Sequence, residues 1–452
     1  MTIIRFNDAL RLAVRELQNL SLPASSPKPR LIRDVYGRLR FALDCPASEY
    51  PANAIADLQD IQSKLGAFAT SDEVLTHDSF SYPERVFADA DWHSTSVDLG
   101  TDENDDDLGE VTIQLLDRQI TGQDWLRPAS DTATPKHPHR IVFFGLKGGV
   151  GRSTALCMTA WGLARQGKRV LLIDFDLESP GLSGLVLPAE KVAEFGVVDW
   201  LVEDAVGQGQ SVLDRMTASS PLAESTLDAI KVATAMGQDE TNYLSKLARA
   251  YADIPSEQGP QRLGQRLRRL VEALEAQERP DVVLIDSRAG LHDLAAVAIT
   301  NIADTAMLFA TDGAQSWAGY MQLFSHWQQR PYVARSVRER LAFVRALTPK
   351  SGREVAIKKF HRRSYELFSN TLYDEILPVA KLSEKNSDNV SFHPDEDDES
   401  APHFPILIDW DERFQEFDPM LRQADGGVSQ AQIDAAFGSL IKFALARVNG
   451  DA

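Results

Sequence analysis

Three short stretches of this chain combine residue types that could do chemistry. The first is GLKGGVGRST, Gly145–Thr154. Its glycines allow backbone N–H groups to converge on an anion, and a helix opening at its end adds a partial positive charge. Such a loop needs a strand before it and a helix after it. Here the apolar run RIVFFG (140–145) precedes it and a helical pattern, Ser153 to Gln166, follows. Gly148, Gly149, Val150, Gly151, Arg152, Ser153 and Thr154 would then cradle phosphates. Ser153 would offer its hydroxyl to Mg²⁺, and Thr154 would sit on an inner phosphate. The second stretch, LLIDFDLESPGL, sets Asp174 and Asp176 at the C-terminal end of a buried strand. In an open parallel sheet that edge is where ligands bind, and carboxylates there hold hydrated Mg²⁺ or orient an attacking water. The third, DVVLIDSRAGLHD, ends four apolar residues on Asp286 and a small-residue turn at Gly290, so Asp286 is a second candidate for Mg²⁺.

The elements that must position these residues are legible as periodicity. RVLLID (169–174), DVVLID (281–286), DTAMLFA (304–310) and LAFVRA (341–346) read as buried strands, with helical patterns such as 261–277 and 315–328 between them. Buried strands alternating with helices predict a doubly wound α/β domain with a mostly parallel sheet covered on both faces. Before it lies a smaller α+β unit. Phe6 to Leu20 is amphipathic at helical spacing, RLIRDVYGRLRFAL reads as a hairpin turning near Tyr36-Gly37, Ala54 to Phe68 as a second helix, and VTIQLLDRQI as a strand. The acidic tract 101–110 reads as a solvated loop, and the Pro/Thr/Ser-rich stretch 127–138 as the boundary. Three regions are expected: an acidic accessory domain at 1–138, the α/β domain at 139–350, and a C-terminal region at 351–452 that completes or extends it and ends in a helix near 429–448.

Composition bounds the rest. Of 452 residues 43% are hydrophobic and 25% charged, an ordinary globular balance. No run reaches the length of a membrane span, and the start has no signal-peptide pattern. Two cysteines, Cys45 and Cys157, exclude a disulfide framework or a four-cysteine cluster within one chain. A reducing cytoplasm is the expected compartment. The formal charge of −19 repels nucleic acid and anionic lipid unless basic groups are segregated. The first 139 residues hold 13 basic against 23 acidic side chains, so the acidic character concentrates there. The basic cluster Lys358–Arg363 (KKFHRR) reads as a solvated helix start rather than a phosphate-binding patch. His292 reads as a loop histidine rather than a base.

Lys147-Gly-Gly-Val-Gly-Arg152-Ser153-Thr154, Asp174-Phe-Asp176 and Asp286-Ser-Arg-Ala-Gly290 together resemble the deviant Walker A ATPases of the MinD/ParA type. Within them the chain resembles the variant branch that reads KGGVGR and carries D-x-D-L-E-x-P-G-L and D-S-R-x-G-L turns. The resemblance covers roughly residues 138–350. It implies ATP and Mg²⁺ as cofactors and a homodimer that sandwiches two nucleotides. It further implies that Lys147 contacts the phosphates held by the partner subunit, that Asp176 positions the attacking water, and that Asp286 is the Walker B aspartate. Arg152 departs from the pattern, because most relatives have a lysine there. A planar, always charged guanidinium can hold phosphate oxygens but alters the geometry near the transferred group, so Lys147, Arg152 and Asp176 are the expected catalytic set with slow turnover. Leu146 departs as well, standing where the ordinary first glycine would be.

Relatives with other roles fit less well. Cys157 sits inside the loop's own helix, a C-x-x-C is absent, and no tyrosine follows Tyr373. The last helix has an apolar face but only Lys442 and Arg447 for anionic lipid. The expected function is an ATP- and Mg²⁺-dependent dimeric switch that signals its state to a protein partner. Members of this branch are bacterial and often sit beside effector genes in defence or mobile-element loci. The rivals are a nucleotide-binding scaffold without useful hydrolysis and a DNA-partitioning ATPase, the latter opposed by the net charge.

Overall fold

The computed structural model describes residues 3–22, 26–101, 107–127, 137–222, 228–239, 241–256, 259–375, 391–415, 418, 421 and 427–450. The chain divides into two compact units, Met1–Gln123 and Asp124–Ala452. Half of the acidic tract 101–110 and most of the stretch 127–138 lie outside the described residues.

The first unit is a four-stranded sheet built from β1 (Arg30–Arg33), β2 (Leu39–Ala42), β3 (His93–Asp98) and β4 (Glu110–Asp117), in the order β2-β1-β4-β3. β1 and β2 form the expected hairpin, with Leu31 opposite Phe41. β1 runs parallel to β4, and β3 antiparallel to it. The helices Phe6–Gln18 and Ala52–Ser63 bury Ala9, Ala13, Val14, Leu58 and Ile61 against Leu31, Phe41, Ile113 and Leu115. The second helix ends sooner than its periodicity suggests, and a 3₁₀ turn, Gly66–Phe68, completes the segment. Gln62 is fully buried in this core. Its Oε1 accepts from Phe41 N at 3.1 Å and its Nε2 donates to Asp72 O at 2.6 Å, so neither end of the amide is left unpaired.

The second unit carries an eight-stranded sheet. Its strands are β5 (His139–Gly145), β6 (Val170–Phe175), β7 (Thr217–Ser219), β8 (Ile230–Ala233), β9 (Val282–Ser287), β10 (Thr305–Ala310), β11 (Leu341–Thr348) and β12 (Ile406–Asp409). The order is β12-β11-β10-β5-β9-β6-β8-β7, parallel throughout except for the antiparallel edge strand β7. Every residue of β6, β9 and β10 is buried, as continuous apolar strands covered on both faces require. One face is covered by the helices Arg152–Arg165 and Gln430–Asn449. The other is covered by Leu263–Glu278, Ala314–Gln328 and Arg353–Thr371.

One expectation shifts. The division falls between Gln123 and Asp124 rather than near 138, because Trp125 is buried in the second core against Phe144 and Trp327. The C-terminal region completes the sheet: it supplies edge strand β12, which pairs with β11, and its last helix packs on the helix that follows the glycine loop. That last helix buries Ile433, Ala436, Phe437, Leu440 and Ala444 in the core, so its apolar face is already occupied. Among the described residues no helix is long and apolar enough to cross a membrane.

Candidate functional site

β5 ends at Gly145, and the loop runs to Gly151, which caps the helix Arg152–Arg165. Gly149 and Gly151 have φ of +75° and +78°, in the left-handed region where a side chain is strained. Leu146 is accommodated by a second glycine. A Cβ on Gly319, in the helix Ala314–Gln328, would stand 2.7 Å from Leu146 Cδ1, so the missing side chain there is the notch that receives the leucine. Gly290 N donates to Gly145 O at 3.1 Å, tying the loop to the turn after β9. Lys147, Gly148 and Gly149 are exposed at the crest, and Val150 is buried beneath it.

Parallel register brings the acidic residues together. Asp174 on β6 pairs with Asp286 on the neighbouring β9, and Phe143 on β5 pairs with Asp286 from the other side. Asp286 is 2% exposed. Its Oδ1 accepts from Arg152 Nε at 2.7 Å and its Oδ2 from the Ser153 hydroxyl at 2.7 Å. Arg152 also reaches Asp176, Nη2 to Oδ2 at 3.0 Å. Burial pushes the Asp286 carboxyl up, and Arg152 and Ser153 oppose that rise. Asp174 is 1% exposed. It turns both oxygens to its own turn, accepting from Asp176 N at 2.9 Å and Leu182 N at 3.3 Å. Burial, and then the Asp286 charge, hold its carboxyl well above the usual range.

All the residues anticipated from the sequence therefore lie at one edge of the sheet, but Arg152 faces carboxylates rather than the open side of the loop. Oxygen donors of this kind suit Mg²⁺, which takes one or two carboxylates and shares the rest of its shell with phosphates and water. Among the described residues no group of three or more His, Cys, Asp or Glu forms a metal cage by itself. The residues present thus fit a metal brought in with phosphates, held by Ser153 and Asp286.

A cluster beside the site was not anticipated. Glu178, two residues past Asp176, pairs with Arg288, two residues past Asp286, and accepts from the Tyr251 hydroxyl. His292 Nε2 is 3.4 Å from Glu178, while its Nδ1 accepts from Leu294 N at 3.3 Å and so caps the next helical turn. Tyr243 donates to Leu177 O at 2.6 Å. The turn that carries Asp176 is thereby bolted to the helix Tyr243–Ala250 and to the turn after β9. The equal offsets of Glu178 and Arg288 from the two aspartates were the available signal; the tyrosines offered none. The KKFHRR cluster lies within the helix Arg353–Thr371 rather than at its start. Lys359 and Arg363 both pair with Asp312 at 2.8 Å, and Arg362 with Glu366 at 3.0 Å. Cys157 is fully buried, and burial raises its thiol pKa.

A parallel sheet whose strand–glycine loop–helix unit faces acidic strand ends defines a P-loop nucleotide-binding domain. Residues 139–330 match the family model described as an AAA domain. A stretch of 52 residues is 48% identical to the chromosome-partitioning ATPase Soj of Thermus thermophilus; it spans 12% of this chain and 21% of that protein. Among solved structures, a ParA family ATPase from Chlorobium tepidum aligns over 68% of this chain and 98% of its own, with 15% identity and a TM-score of 0.41. Cobyrinic acid a,c-diamide synthase from Mycobacterium smegmatis, with an ATP analogue and magnesium, aligns over 54% and 86%, with 17% identity and a TM-score of 0.37. The cell division ATPase MinD of Pyrococcus furiosus aligns over 48% and 73%, with 18% identity and a TM-score of 0.33.

Proposed function

We propose that the second unit is an ATP- and Mg²⁺-dependent molecular switch that dimerises through its nucleotide, hydrolyses it slowly and signals its state to a protein partner. The observation that carries this reading is the convergence of the glycine loop, Ser153, Asp176 and Asp286 at one edge of the sheet. The helix N-terminus after Gly151 and the loop N–H groups bind the phosphates. Mg²⁺, when bound, neutralises phosphate charge. Ser153 and Asp286 would hold it, and Asp174 fixes the turn that would aim Asp176 at the attacking water. Lys147, exposed on the crest, reaches the nucleotide of a partner subunit. A role in bacterial defence or mobile-element loci is part of this proposal and follows from the resemblance to the KGGVGR branch.

A nucleotide-binding scaffold without useful hydrolysis is the second reading, favoured by the hold of Arg152 on Asp176. A partitioning role on DNA, as in the name of the Soj relative, is opposed by the net charge of −19 and by the acidic partners of Lys359 and Arg363. Thermal unfolding with and without ATP and Mg²⁺ tests the nucleotide claim. A ligand confined to the folded state adds about 2.7 kcal/mol at a hundredfold excess over Kd, and Asp286→Ala should lose the Mg²⁺-dependent part. An unchanged melting temperature at millimolar ATP would overturn the reading. Phosphate release then separates the switch from the scaffold.

A further inference from the structure

Asp174, Asp176 and Asp286 are buried together, and like charges in so dry a site repel strongly. Arg152 answers that repulsion. Its guanidinium, on a residue only 9% exposed, bridges Asp286 on β9 and Asp176 in the turn just past β6. With Ser153 on the other oxygen, both oxygens of Asp286 are engaged. The same carboxylates are those the proposed function assigns to the metal and to the attacking water. Arg152 therefore stands in the electrostatic role of a cation. It is the first residue of the helix after Gly151, so its long side chain can turn from the carboxylates to a ligand in the loop by side-chain rotation alone.

We infer that Arg152 is a built-in counter-cation that keeps Asp176 and Asp286 closed to divalent metal until the phosphates of a nucleotide draw the guanidinium away. Nucleotide enters before the metal or with it, and Asp176 is free to orient water only after that exchange. The inference rests on the nucleotide-binding reading above and adds to it an order of events. It also explains how an arginine can replace a lysine at this place: a planar fork spans two carboxylates, whereas an ammonium is a single point charge.

The test titrates nucleotide-free protein with Mn²⁺ and follows the free ion by electron paramagnetic resonance. Wild type should show no tight site. Arg152→Gln, which removes the charge and keeps a hydrogen-bond donor, should gain one, with affinity higher by roughly tenfold or more, the worth of a charged hydrogen bond. Arg152→Lys should fall between, and it decides the question if the glutamine variant does not fold. A companion titration with ATP in EDTA should find binding by wild type and a loss of roughly tenfold to a hundredfold in Arg152→Gln, because the guanidinium then contacts phosphate. Equal Mn²⁺ affinity in wild type and variants would overturn the inference, as would metal-free ATP binding that is indifferent to residue 152. Failure of every protein to bind ATP with or without metal would instead sink the nucleotide reading. The Mn²⁺ arm uses no nucleotide and would still report whether Arg152 excludes metal.

Discussion

At residue 403 the surroundings of a histidine favour its neutral form. His403 is fully buried; its Nδ1 accepts from the Tyr373 hydroxyl at 2.7 Å and its Nε2 donates to Glu396 O at 3.0 Å. A protonated ring could not accept from Tyr373. Burial depresses its pKa below the usual 6.5, with His361 acting in the same direction against the Glu396 carbonyl. A depressed pKa means that the unfolded chain takes up the proton first. The stabilising contribution is thus complete above the unfolded value and is lost as pH falls from there through the depressed folded value. Denaturation at about pH 7.5 and about pH 5.5 should show wild type losing stability on acidification, and His403→Gln losing less. His139 and His292 are depressed by burial too, so the difference between the two proteins is the readout. An equal loss in both would contradict the assignment. At this scale the sequence was informative about the ligand edge, since glycines, aspartates and Ser153 advertise their chemistry by type and spacing. It was silent about direction. Nothing in KGGVGR tells whether Arg152 points to phosphate or to carboxylate, because that depends on register between β6 and β9, residues that lie more than a hundred positions apart.

Between elements, one close approach in the second unit is at Gly162. A Cβ there would lie 2.7 Å from Ile441 Cγ2, so the glycine is what allows the helices Arg152–Arg165 and Gln430–Asn449 to pack. Gly162→Val should destabilise the protein by about 1–3 kcal/mol through overpacking, and Ile441→Ala in the same chain should recover much of it. Urea denaturation of the two single variants and the double one measures the coupling; simple additivity would show that the helices do not meet there. Leu146 illustrates the same logic near the site, since its departure from the loop pattern is intelligible only beside Gly319. Strands with continuous apolar runs were legible because both faces are covered. β3 was not, because His93–Asp98 alternates polar residues on an edge strand. β7, β8 and β12 were missed because three or four residues carry too little periodicity to register.

For the whole molecule, the exposure of Lys147 at the crest of the loop bears on association. Sedimentation velocity with a non-hydrolysable ATP analogue should show wild type shifting from monomer to dimer and Lys147→Ala remaining monomeric, while both bind nucleotide. Equal masses for both proteins, with and without the analogue, would speak against a nucleotide sandwich. The class of the second unit was readable in advance because three motifs fall in order on alternating strands and helices. The true division at Gln123 was not, because a single tryptophan, Trp125, decides it by burial that no local pattern reveals.

The contact between Gly162 and Ile441 has a further consequence, one in time. The helix Arg152–Arg165 is synthesised early in the second unit, and the helix that covers it comes last among the described elements. Elongation runs at roughly 5–20 residues per second, so the apolar face beneath it stays uncovered on the ribosome for tens of seconds. During that interval the nascent chain presents the apolar side of the helix Arg152–Arg165 and of β5 to whatever hydrophobic surface is near. Slower translation through 351–429 should therefore deepen its dependence on chaperones, whereas slower translation after residue 449 should leave it unchanged.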